Sequence, residues 1–174
     1  TGCFHGRPLA PVAATGPKFQ DGFAPMPEGF IQVPMGDLDA LKAVIGDKTA
    51  AVIMEMVQGE GGVVPVDKEF LQAVVALCRA RGVLFIADEV QAGLCRTGAW
   101  WGFQLHGVET DIVTTAKALA NGLPMGGIMA TDEVARGFAL GSHGTTFGGN
   151  AFAAAIACKT LEILERDRPA QRAA

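Results

Sequence analysis

Three ionisable residues in the 174-residue chain stand where chemistry is possible: Glu55, Asp88 and Lys117. Asp88 closes the apolar run "VLFIA" (83–87), and burying a carboxylate is costly unless something pairs with it. Lys117 closes "DIVTTAK" (111–117), and Glu55 lies near the end of "TAAVIMEMV" (49–57). Taken singly, Asp88 reads equally as a turn or capping acid, Glu55 as a strand-end acid, and Lys117 as a chain that snorkels to water. Taken together, a lysine and an acid on adjacent rims fit imine chemistry, in which the amine attacks an aldehyde carbon.

Such a site needs strands that end on one edge. "DLDALKAVIG" (37–46) has helical apolar spacing and a closing glycine. "DKEFLQAVVALCRARG" (67–82) predicts the clearest helix: Asp67 caps it, Phe70, Leu71, Val74, Val75 and Cys78 share a face, and Gly82 ends it. Strands are predicted at 49–57, 83–88, 111–117 and 126–131. Helices follow at 132–140 and 150–166, separated by the loop "GSHGTTFGGN". Residues 1–36 hold six of the nine prolines and read as loops and short strands. Strands alternating with helices imply an α/β fold, with a mostly parallel central sheet and flanking helices. Ligands bind such sheets beyond the carboxyl ends of the strands, where Glu55, Asp88 and Lys117 should converge. Pyridoxal phosphate is a cofactor that requires both kinds of group. A lysine holds its aldehyde carbon, and a carboxylate keeps its pyridine nitrogen protonated so that the ring draws electrons.

"VLFIADE" also fits the acidic strand of a P-loop nucleotide-binding module. That reading requires G-x-x-x-x-G-K-[ST], and the chain has no Gly-Lys dipeptide, so only sequence outside it keeps the alternative open. The composition is 49% hydrophobic and 18% charged, with net charge −4 and mean hydropathy +0.29. This lacks the basic footprint of a nucleic-acid binder. The longest apolar run, "AFAAAIAC" (151–158), is too short to span a membrane. Cys3, Cys78, Cys95 and Cys158 form no C-x-x-C pair and read as reduced thiols in a cytoplasmic setting. His5, His106 and His143 have no metal-ligand spacing and read as structural or loop residues; no metal is expected. Trp100 and Trp101 are expected to pack over the outer wall of the cleft.

"FHGR", "QGEGGV", "DEVQ-x-G-x-x-RTG", "D-I-V-T-x-A-K" and "HGTTFGGN" occur in that order over nearly the whole chain. Together they resemble the class III, fold-type I pyridoxal-phosphate aminotransferases, and within that class the acetylornithine enzymes. The resemblance implies Lys117 as the Schiff-base lysine and Asp88 as the partner of the pyridine nitrogen. It implies Phe4 against one face of the ring, Val90 on the other, and Gln91 toward the phenolic oxygen. Thr146 would bind cofactor phosphate across a dimer interface, beside Thr145 as a substrate contact. Arg7 would clamp the substrate α-carboxylate, and Glu55 would pair with substrate-binding arginines. The family usually carries proline after this glutamate, where Met56 stands here.

The implied reaction moves the terminal amino group of N2-acetylornithine to 2-oxoglutarate, in arginine biosynthesis, by a homodimer with its active site at the interface. Relatives acting on ornithine, 4-aminobutyrate, succinylornithine or succinyl-diaminopimelate share most of these motifs. Family members are longer at both ends. The chain therefore reads as the central part of the large domain, with the upstream phosphate-binding segment and the C-terminal small domain outside it. Alone it is expected to be inactive, and a catalytically silent fragment remains the other alternative.

Overall fold

A computed structural model describes residues 2–173. Its frame is a four-stranded sheet in the order β1-β4-β5-β6, with β1 at Ala51–Glu55, β4 at Leu84–Asp88, β5 at Ile112–Thr115 and β6 at Gly127–Ala130. The pairs β1–β4 and β4–β5 are parallel, and β6 runs antiparallel along β5. A two-stranded hairpin, β2 (Val57–Gln58) with β3 (Val64–Pro65), follows β1 directly. This is the mostly parallel α/β sheet that the alternating pattern implies.

Helix α3 (Lys68–Arg81) forms where its spacing predicts. Asp67 accepts a hydrogen bond from the Phe70 amide, and Gly82 takes the left-handed conformation that ends the helix. It buries Leu71, Val74, Val75 and Cys78 against Phe85 and Ala87 of β4 and against Leu41 of α2 (Leu38–Val44). Met56 joins this core at 1% exposure. A second cluster joins Leu94, Leu119 and Ala120 to Ala157 of α6 (Ala151–Asp167), with Trp100 and Trp101 packed against it. The alanines of α6 allow that close approach, and Asn150 caps the helix by accepting from the Ala153 amide.

Two expectations outside the sheet are corrected. Residues 2–36 contain no strand; they hold a short helix, α1 (Leu9–Ala14), and a 3₁₀ turn at Pro17–Phe19. Pro11 is tolerated because amides in the first helical turn have no intrahelical acceptor to lose. The helix expected over 132–140 stops early, as α5 (Asp132–Ala135). It buries no residue, so no packing drives it further. A short helix, α4 (Gly102–Leu105), appears where no periodicity announces it. The carboxylate of Glu89 accepts from the amides of Gly102 and Phe103, both at 2.9 Å, and satisfies the start of that turn. The last short helix, α7, spans Ala170–Ala173.

Candidate active site

The sheet register brings the three ionisable residues to one rim. Glu55 pairs with Asp88 across β1–β4, and Asp88 pairs with Thr114 across β4–β5. Lys117 follows three residues beyond Thr114. Asp88 is 4% exposed, and its bonds fix its orientation. Oδ1 accepts from the Val90 amide at 3.1 Å and from the Thr114 hydroxyl at 3.0 Å. Oδ2 lies 2.5 Å from His5 Nδ1. A carboxylate has about four lone-pair sites, so Oδ2 is the oxygen with room for one more donor.

His5 was read from sequence as structural; the structure pairs it with Asp88. Both side chains are buried, at 5% and 6% exposure. Burial pulls the imidazole pKa down, but hydrogen bonds to Asp88 and Cys3 and the negative charge of Asp88 outweigh it. The value rises from 6.5 to about 9, which leaves His5 a cation near neutrality. The only sequence signal was its place between Phe4 and Arg7 in "FHGR". Thr114 and Glu89 were also missed, because their roles depend on which strands lie side by side.

Glu55 is 3% exposed and accepts from the Phe4 amide at 2.8 Å. Burial raises its pKa, against the pull of that amide and of His5. The structure does not bring Arg7 to Glu55. Arg7 lies over the Phe19 ring, 5.5 Å from its centroid, and Phe4 meets the same ring edge-on at 5.0 Å. Glycines let "QGEGG" press against the other motifs. A Cβ on Gly59 would sit 2.5 Å from Gln91 Nε2, and one on Gly61 would sit 2.9 Å from Gly2 O. Met56 packs beside Gly102, where a Cβ would lie 3.0 Å from Met56 Cβ.

Lys117 opens a 3₁₀ turn (Lys117–Ala120) with φ +45°, in the left-handed region that non-glycine residues seldom occupy. Such strain persists where the surroundings hold it, and the same turn buries Leu119 and Ala120 in the cluster around Ala157. Lys117 shares a cleft of about 220 Å³ with Val90, Gln91 and Arg96. Thr145 lines a second cavity, of about 320 Å³, and Thr146 is exposed beside it. Neither threonine lines the cleft that holds Lys117.

The family model for "Aminotransferase class-III" matches residues 1–174. The chain belongs to the class-III aminotransferase family. It is 50% identical to the acetylornithine aminotransferase of Methanocaldococcus jannaschii over 93% of its own length and 41% of the relative's. The acetylornithine aminotransferase of Methanothermobacter thermautotrophicus is also 50% identical, over 98% and 44%. Among solved structures, the ornithine aminotransferase of Toxoplasma gondii superposes with a TM-score of 0.93 at 34% identity, over 99% of this chain and 41% of that one. That structure carries partial occupancy of PLP at its active site. This class-III chain thus spans about two fifths of the length of the curated relatives it matches.

Proposed function

We propose that the protein carrying this chain is a pyridoxal-phosphate aminotransferase. It moves the terminal amino group of N2-acetylornithine to 2-oxoglutarate, giving the semialdehyde and glutamate. The observation that carries the reading is that Asp88, ending β4, and Lys117, two residues past the end of the parallel neighbour β5, lie at one rim of the sheet, with one acceptor site open on Asp88 Oδ2. An acceptor-only carboxylate and a strained lysine beside an open cleft fit the two ends of a pyridine aldehyde.

When bound, the cofactor supplies an electron sink for the carbon that loses its proton. Asp88 would hold the cofactor at its ring nitrogen and keep a proton there. Lys117 Nζ would hold the cofactor at its aldehyde end and, when free, would serve as the base that moves the substrate proton. Phe4 and Val90 would confine the ring, Gln91 would donate to its phenolic oxygen, and Thr146 would serve the phosphate of a second subunit. Arg7 binds a carboxylate through a bidentate fork, with Glu55 and Thr145 near the substrate. The protein is proposed to be a homodimeric enzyme of arginine biosynthesis, and this chain the central part of its large domain. A cytoplasmic setting is supported by four free cysteines.

The substrate choice is supported by the names of the relatives. One of them, from Yersinia pestis at 47% identity, is an acetylornithine/succinyldiaminopimelate aminotransferase, which favours succinyl-diaminopimelate as the second candidate donor. Steady-state kcat/KM of the whole protein with each donor and 2-oxoglutarate tests the reading. N2-acetylornithine should give the highest value, and a higher value for ornithine or 4-aminobutyrate would overturn the assignment.

A further inference from the structure

We infer that His5 is a positioning residue for the proposed reaction: it fixes the carboxylate plane of Asp88 and offsets the paired negative charge of Asp88 and Glu55. The inference rests on the function proposed above, but its geometry is independent of any ligand. Oδ1 of Asp88 is held twice, by the Val90 amide and the Thr114 hydroxyl, which leaves the plane free to pivot about that oxygen. His5 Nδ1 pins Oδ2 and removes the pivot. The pinned oxygen is also the one with an acceptor site left, so the imidazole sets the direction in which a ring N–H would be met.

The backbone that carries the imidazole is itself held firmly. The His5 amide donates to Thr15 Oγ1 at 2.9 Å, and that hydroxyl donates to Pro11 O at 2.8 Å. Thr15 is fully buried, and its carbonyl accepts from the side-chain amides of Gln20 and Gln32. The Gly16 amide closes the loop on Cys3 O at 3.0 Å. This much structure around one histidine is more than a surface turn needs.

Charge gives the second half of the argument. The titratable groups facing His5 are Asp88 from β4, Glu55 from β1 and Cys3 from its own segment. Two buried carboxylates on neighbouring strands repel, and a cation bonded to Asp88 and near Glu55 offsets that repulsion without water. A neutral residue of the same shape would keep the position but not the charge.

The test uses the whole protein and two variants. Imidazole NMR of the unaltered, cofactor-free protein should show His5 titrating well above 6.5. His5→Leu should weaken pyridoxal phosphate binding about tenfold to a hundredfold, the loss of one charge-assisted bond. The same variant should lower kcat more than it raises KM. His5→Asn, which keeps a donor near Nδ1, should recover most of the cofactor affinity while shifting the alkaline limb of the kcat profile. Unchanged affinity and kcat in His5→Leu would overturn the inference, as would a His5 pKa at or below 6.5 in the unaltered protein. Failure of the unaltered protein to bind the cofactor would instead sink the proposed function.

Discussion

Around Asp88, polar side chains from four segments are buried or half-buried and each is bonded within the chain, whereas residues 135–150 are exposed without exception. In the first region His5, Glu55, Asp88, Glu89 and Thr114 all bond to partners within the chain. In the second, Leu140, Phe147 and Phe138 reach 106%, 81% and 67% exposure, and the Thr145–Thr146 pair sits among them. Buried charge requires its partners to be built in, because an unmet group costs several kcal/mol. An exposed glycine-rich loop carries no such demand. The nitrogen end of the proposed site is therefore specified by this chain alone. Under the proposed function, the phosphate end would take its final geometry from a second subunit.

The comparison can be broken most sharply at Lys117. Lys117→Ala should abolish turnover in the whole protein and remove the borohydride-reducible adduct with pyridoxal phosphate, since among the described residues no other amine lines the cleft. A retained adduct in that variant would move the reactive amine elsewhere. Asp88→Asn comes next: it keeps the shape and loses the charge, and kcat should fall by about two orders of magnitude. Near-normal kcat would make the carboxylate purely structural.

Glu89→Gln acts on folding. Replacing an acceptor of two amides should cost about 1.5–3 kcal/mol, read from denaturant midpoints. His5 adds a pH signature to the same measurement. Its pKa is raised on folding, so its contribution is complete below pH 6.5 and is lost as pH rises through about 9. Stability that stays flat across that window would contradict the paired cation. The smallest effect belongs to the exposed region, where Leu140→Ser should shift stability by no more than about 0.5 kcal/mol.

The same contrast explains what the sequence made legible. Periodicity and caps sufficed for α3 and for the central strands, because Asp67, Gly82 and the apolar face act locally. The end of β4 was legible for the same reason, but β5 stops at Thr115, short of the strand expected over 111–117, and Lys117 opens a 3₁₀ turn instead. His5 was not legible, because its meaning comes from a bond across 83 positions in the chain, which no local pattern carries. Glu89 failed similarly: an acid after Asp88 reads as a polar loop until the Gly102 amide is seen above it. The strands expected before residue 36 failed for another reason. The spacing of Pro8, Pro11 and Pro17 suits short helical turns as well as extended chain.

The Glu89 clamp has a consequence in polymer terms. By holding the Gly102 and Phe103 amides it closes a loop whose neck is tied again by the Cys95 amide on Trp100 O, at 3.3 Å. Residues 92–95 are buried inside the neck, while Arg96 is exposed at the tip and Gly98 turns the chain at φ +100°. Closure entropy grows only logarithmically, so doubling a flexible loop costs about 0.6 kcal/mol. Extra residues between Arg96 and Gly98 would thus lengthen the tip at little expense to the fold. They would leave the Asp88 carboxylate where it is, and the rim of the cleft could change its reach independently of its floor.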